Sequence, residues 1–210
     1  MFETVTTLLD WLGVVVFAVT GALVASRKEM DIVGFALLGT ATGIGGGTLR
    51  DVLLDQQVFW IREPACLVTC VLVSGVVFFT AHIPHSRYKT LLWLDAVGMA
   101  LFAVSGAERA ALAGANGIVA VAMGVVTATF GGIIRDLLGG EIPVILRREI
   151  YVTAALVGAS AFVILMALGA GRDLSTGVGF ALALLIRAAA LQRGWSLPRY
   201  RPRPGANDER

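Results

Sequence analysis

The stretch GTATGIGGGTLRD, Gly39–Asp51, returns eighty-five residues later and without a gap as GVVTATFGGIIRD, Gly124–Asp136. The same offset sets FAVTGA (Phe17–Ala22) on FAVSGA (Phe102–Ala107), and pairs Asp10 with Asp95, Gly13 with Gly98 and Arg62 with Arg147. Apolar letters coincide by chance between any two hydrophobic segments, but Asp, Arg and Gly held in register do not. The chain therefore contains an internal duplication, and a repeat of this length sets the architecture.

Each copy of the stretch fills the second half of a long uncharged run, and such runs recur along the chain. Val5–Ala25 carries only Asp10, and Ile32–Leu49 and Ala65–Ala81 carry no charge. Leu91–Ala107 holds only Asp95, Gly117–Ile134 is clean, and Ile150–Gly171 and Leu174–Gln192 follow, the last with Arg187 near its end. A membrane helix needs about 20 mostly apolar residues, so seven spans are predicted. Composition agrees: 57% of the 210 residues are hydrophobic, 15% are charged and 25 are glycine. Mean hydropathy is +0.80. A soluble domain is about 25% charged and could not hide this apolar surface, which excludes a soluble globular enzyme.

Three spans fall in each repeat unit, and an odd number turns the second unit upside down relative to the first. The expected fold is an all-α membrane protein with seven transmembrane helices, arranged as a 3+3 inverted repeat plus one extra helix. Residues 1–84 form the first unit, 85–171 the inverted second, 172–194 the seventh helix and 195–210 an Arg/Pro-rich cytoplasmic tail, WSLPRYRPRPGANDER, too polar to pack. Four Lys and Arg lie on the N-terminal side of this topology and thirteen on the other. Cytoplasmic loops hold the positive excess, so the N-terminus is expected outside a bacterial plasma (inner) membrane and the C-terminus in the cytoplasm. The first span has no basic residue before it, unlike a cleaved signal peptide.

The tandem glycines Gly45-Gly46-Gly47 and Gly131-Gly132 weaken a helix. Freed backbone at membrane depth is tolerated only against protein or water. Inverted symmetry would bring the two breaks together near the midplane, beside Thr40, Thr42, Thr48, Thr127 and Thr129, whose hydroxyls can replace part of an ion's hydration shell. Gly21, Gly34, Gly39 and Gly124 read instead as close-packing positions. Arg50-Asp51 and Arg135-Asp136 close the two spans, either as structural interfacial pairs or as charges at an ion entry. Asp10 and Asp95 read as carboxylates favoured at helix N-termini, with a cation-attracting mouth as the sharper alternative. His82 and His85, flanking Pro84, read as an exposed loop. Cys66 and Cys70 share one helix face and read as packing residues. No catalytic constellation, phosphate loop, resident cofactor, metal site or nucleic-acid motif is visible.

With these residues in view, FAVTGA and FAVSGA, GIGGGTLRD and FGGIIRDLLGGEIPVILRREIY resemble the bacterial members of the trimeric intracellular cation (TRIC) channel family, also known as UPF0126. The resemblance runs from about Trp11 to Gln192. It implies a homotrimer in membrane lipid and a K+-permeable pore in each protomer, lined by glycine-broken second and fifth spans whose hinges fall on Gly45, Gly46, Gly47, Gly131 and Gly132. Animal members carry a basic stretch before the second glycine pair that holds an inositol lipid. Val119–Thr127 has no Lys or Arg here, so that gating is not expected. Neither glycine run has the carbonyl ladder of a selective K+ filter, so weak discrimination between K+ and Na+ is expected. A small-solute secondary transporter, for a glycine-like solute, is the alternative, since inverted repeats serve alternating access equally well.

Overall fold

Apolar runs bounded by short polar caps become helices that overlie the seven predicted spans, several of them running two to five residues past the predicted edges. The computed structural model describes residues 2–84, 86–147 and 149–198. His85, Arg148 and residues 199–210 of the tail lie outside the described residues. The helices are α1 (Phe2–Arg27), α2 (Ile32–Leu53), α3 (Phe59–Arg62), α4 (Ala65–Thr80), α5 (Arg87–Leu112), α6 (Gly117–Leu138), α7 (Val152–Ala167) and α8 (Arg172–Arg193). Seven are long. The four-residue α3 has its repeat partner in a 3-10 turn at Val144–Leu146. The second and fifth spans of the sequence are α2 and α6.

Duplication is visible in the caps and in the packing. Asp31 accepts a hydrogen bond from the Gly34 amide at 2.7 Å, and Asn116, eighty-five residues on, accepts from Val119 at 3.0 Å. Each satisfies an amide that the first helical turn leaves unpaired. Helix α1 packs on α2 and α4, as α5 packs on α6 and α7; α1 meets α5, and α2 meets α6. The extra helix α8 lies against α5 and α7. Helices α1 and α5 form the centre, with Val14, Phe17, Ala18, Met99, Phe102 and Ala103 buried in one cluster. The outer face is apolar, with Leu37, Leu72, Phe79, Ile118, Leu168 and Leu185 all exposed. This is the distribution of a multi-pass membrane protein, and five helices are long and apolar enough to cross by themselves.

Three expectations are corrected. The helix breaks at Gly45-Gly46-Gly47 and Gly131-Gly132 are absent, since α2 and α6 run as continuous helices through them. Nothing in hydrocarbon can satisfy a broken backbone, and close helix contact offsets the poor helix propensity of glycine. Asp10 and Asp95 are not terminal carboxylates. Helix α1 begins at Phe2 and α5 at Arg87, which places both acids about two turns inside, and both are buried. Finally, the tail does not leave the fold at Trp195. Gly194 caps α8 in the left-handed conformation (φ 65°), Trp195 stacks under Arg193, and Ser196 pairs with the backbone of Glu149.

Candidate functional site

Glycine lets two backbones touch, and α2 and α6 use it reciprocally. A Cβ on Gly131 would stand 2.6 Å from the Thr42 carbonyl oxygen; one on Gly46 would collide with the Thr127 carbonyl. These contacts are repeat images of each other. Gly45 is filled by Ile134 and Gly47 by the Phe59 ring at 2.7 Å, while Gly132 faces the Tyr151 hydroxyl at 3.3 Å. Thr42 and Thr127 are fully buried and donate to carbonyls one turn back, Leu38 at 2.5 Å and Met123 at 2.6 Å. Thr48 and Thr129 do likewise to Ile44 and Val125, and the Trp60 indole donates to Thr48 at 2.8 Å. The Thr42 and Thr127 carbonyls thus face the crossing, whereas their hydroxyls lie against Gly21 of α1 and Gly106 of α5.

Two aromatic rings brace the crossing from behind. The Phe17 ring occupies the hollow at Gly98, the Phe102 ring that at Gly13, and the two rings meet edge to face at 5.1 Å. Phe17 also lies against Gly131, 2.7 Å from where a side chain would begin.

A buried set of charges stands on either side. In the first, Arg50 donates to Asp51 at 2.8 Å and lies 3.6 Å from Asp10, which Arg109 also grips at 3.0 Å. In the second, Arg135 donates to Asp136 at 2.9 Å, to Asp95 at 2.5 Å and to the Thr20 hydroxyl at 3.3 Å. Both arginines are essentially inaccessible, at 1% and 0% exposure. A buried charge must be paired and hydrogen-bonded, and the remaining carboxylate oxygens serve this: Asp51 accepts from the Phe59 amide and Asp136 from the Val144 amide, each at 2.9 Å. Each acid thereby pins the segment following its helix.

The sets differ in charge and in cover. Two carboxylates face two guanidiniums in the first, whereas two face one in the second. Arg50 lines a cavity of about 280 Å³ with Arg62, Arg109 and Gln57. Over the second set lies Tyr151, itself buried, where the repeat places Cys66 in the first. Arg187 of α8 stacks on that tyrosine at 5.1 Å.

Gly46, Gly131, Thr42 and Thr127 thus meet at the α2–α6 crossing and Arg50, Asp51, Arg135 and Asp136 gather in the two charge sets, whereas Gly39 packs on Ser74 of α4 and Gly124 on Ala103 of α5. Two functional contacts are not legible in the sequence: Arg109, which lies beyond the uncharged run Leu91–Ala107 although α5 continues to Leu112, and the partnership of Tyr151 with Arg187. In the sequence Phe17 and Phe102 stand only as matching letters. Their identical offsets from Gly13 and Gly98 were the available signal.

The comparisons with known proteins follow the same division. A family model described as Glycine transporter matches residues 7–82 and again residues 92–167, two stretches displaced by the repeat offset. The chain is 40% identical over 198 residues to the UPF0126 inner membrane protein YadS of Escherichia coli (strain K12), covering 91% of this chain and 94% of that one. Its structure matches the TRIC trimeric intracellular cation channel orthologue from Rhodobacter sphaeroides with a TM-score of 0.90 and 66% identity, over 91% of this chain and all of that one. The chain belongs to the TRIC (UPF0126) family. A second TRIC structure, from work on conductance through TRIC cation channels, matches at TM-score 0.84 and 36% identity, over 93% of this chain and 97% of that one. These relatives are membrane proteins and cation channels, not enzymes.

Proposed function

We propose that this TRIC protein is a cation channel of the bacterial inner membrane, assembled as a homotrimer with one pathway per protomer, and that K+ is the permeant ion, with Na+ passing as well. The pathway follows the α2–α6 crossing, and the packed glycines together with Phe17 and Phe102 keep it shut in the conformation described. The two repeat units cross the membrane in opposite senses, with the N-terminus outside and the C-terminus in the cytoplasm.

The carrying observation is the pair of buried Arg–Asp sets flanking the crossing. Arginines alone would repel a cation. Here Asp10 and Asp51 offset Arg50 and Arg109, and with both acids ionised Asp95 and Asp136 outweigh Arg135 by one charge. A net negative charge in a low-dielectric wall favours a cation over an anion. The Thr42 and Thr127 hydroxyls pack against Gly21 of α1 and Gly106 of α5 in this closed arrangement, and become ligands for a partly dehydrated ion when the helices part. The relatives' names point the same way, since the matched structures are of cation channels.

Single-channel recording of reconstituted protein in asymmetric KCl tests the reading. Unitary current steps reversing near the K+ equilibrium potential are expected. A folded trimer without K+ conductance refutes it, and saturable solute uptake without unitary steps establishes the transporter instead.

A further inference from the structure

The repeat is most informative where it fails. Cys66 and Tyr151 occupy equivalent positions, yet the first lines a small cavity with Asp10 and Arg109, and the second is buried over the Arg135–Asp95 set. The Tyr151 hydroxyl points at α6, 3.4 Å from the Ala128 carbonyl and 3.3 Å from the position a Gly132 Cβ would take. Around that same position lie the Arg135 guanidinium and the Asp95 carboxylate, each at 3.6 Å.

What holds the tyrosine has no counterpart in the first unit. Arg187, on the helix outside the repeat, is 1% exposed. It bonds the Glu149 carboxylate at 2.6 Å and the Ile150 carbonyl at 3.2 Å, and its guanidinium covers the Tyr151 ring. One planar group thus fixes three consecutive residues, a task that requires the fork and flat face of arginine. Beyond it lies a second cavity of about 270 Å³, lined by Leu92, Glu149, Arg187, Ala190, Trp195 and Ser196. From the tail side, the route inward meets Arg187 first, then Tyr151, then the buried charges.

Resting on the channel reading above, we propose that Arg187 and Tyr151 form a latch: Arg187 is the positioning residue and Tyr151 the plug that closes the tail-side end of the pathway. The helix added to the duplicated core thereby makes the two ends of a nearly symmetric pathway unequal. Opening at this end requires Arg187 to release Tyr151, which uncovers Asp95 and Arg135 to the tail-side cavity.

Gly132→Cys, in a full-length chain carrying Cys66→Ala and Cys70→Ala, places a thiol under the plug. Its reaction with a membrane-impermeant thiosulfonate reagent, applied from either side of oriented vesicles, reads the latch without any current. With Arg187 and Tyr151 in place, slow labelling from the tail side is expected. Arg187→Gln and Tyr151→Ala should each accelerate it at least tenfold from that side only, and the double variant should add little. Unchanged rates in trimers that melt normally overturn the latch. Should either variant fail to assemble, Arg187→Lys replaces it: lysine cannot both stack and fork, so labelling severalfold faster is expected and an unchanged rate refutes the proposal. Accelerated labelling without K+ current would keep the latch and reject the channel, whereas current with unmoved labelling would do the reverse.

Discussion

Gly131→Ala adds one methyl group where α2 and α6 cross. The new carbon would lie 2.6 Å from the Thr42 carbonyl and 2.7 Å from the Phe17 ring, against 3.4 Å for an ordinary contact. The helices must therefore part by about 0.8 Å, the difference between 3.4 and 2.6 Å. A carbonyl within a helix cannot swing aside as a side-chain end can, so the strain falls on the crossing itself. Overpacking of this kind costs about 1–3 kcal/mol, and the better helix propensity of alanine returns about 1 kcal/mol. Gly75→Ala in α4 supplies the control, because a Cβ there meets nothing within 4 Å and only the propensity gain remains. Thermal unfolding of detergent-solubilised protein should place Gly131→Ala below Gly75→Ala by about 1–3 kcal/mol, the packing contribution alone. Gly46→Ala, whose Cβ runs into the Thr127 carbonyl more closely still, should fall lower. In bilayers the same wedge should raise the open probability of Gly131→Ala without changing unitary conductance. Equal stability of Gly131→Ala and Gly75→Ala would refute the tight crossing and with it the constriction.

Asp136→Ala removes one of the two carboxylates that hold Arg135 and the acceptor for the Val144 amide, leaving Arg135 to Asp95 alone and a buried amide unpaired; a loss of about 1–3 kcal/mol is expected in the same unfolding assay. Arg109→Gln removes a partly exposed cation, 25% accessible, beside Asp10. Stability should change by less than about 1 kcal/mol, while K+ conductance rises at low salt and returns to the parent value near 1 M KCl, where screening is complete within about 3 Å. Reversal potentials under K+/Na+ gradients should give a permeability ratio near unity, since hydroxyls on helical residues form no rigid carbonyl cage.

The spans, their number and the duplication were legible because each is a local pattern: apolar runs of fixed length, caps at Asp31 and Asn116, and matching letters at one offset. The roles of the glycines were half legible. Tandem glycine marks a place where helix geometry is special, but one chain of letters does not distinguish a break from a close approach; the Thr127 carbonyl facing Gly46 decides it, and that partner lies 81 positions away in sequence. Asp10 and Asp95 sit inside their helices because α1 and α5 extend past the edges of their uncharged runs in both directions. Their pairing with Arg50, Arg109 and Arg135 joins different helices, and no periodicity within one helix encodes it.

The exchange of rings between the units bears on how the protein is made. Phe17 completes a hollow at Gly98 and Phe102 completes one at Gly13, so neither half can close its interior from its own residues. During synthesis the first three helices enter the lipid with the Gly13 hollow unfilled and Phe17 unseated, and must wait there until the second three arrive. Residues 1–84 and 85–210 produced as two polypeptides should accordingly find each other in the membrane and be degraded when made singly.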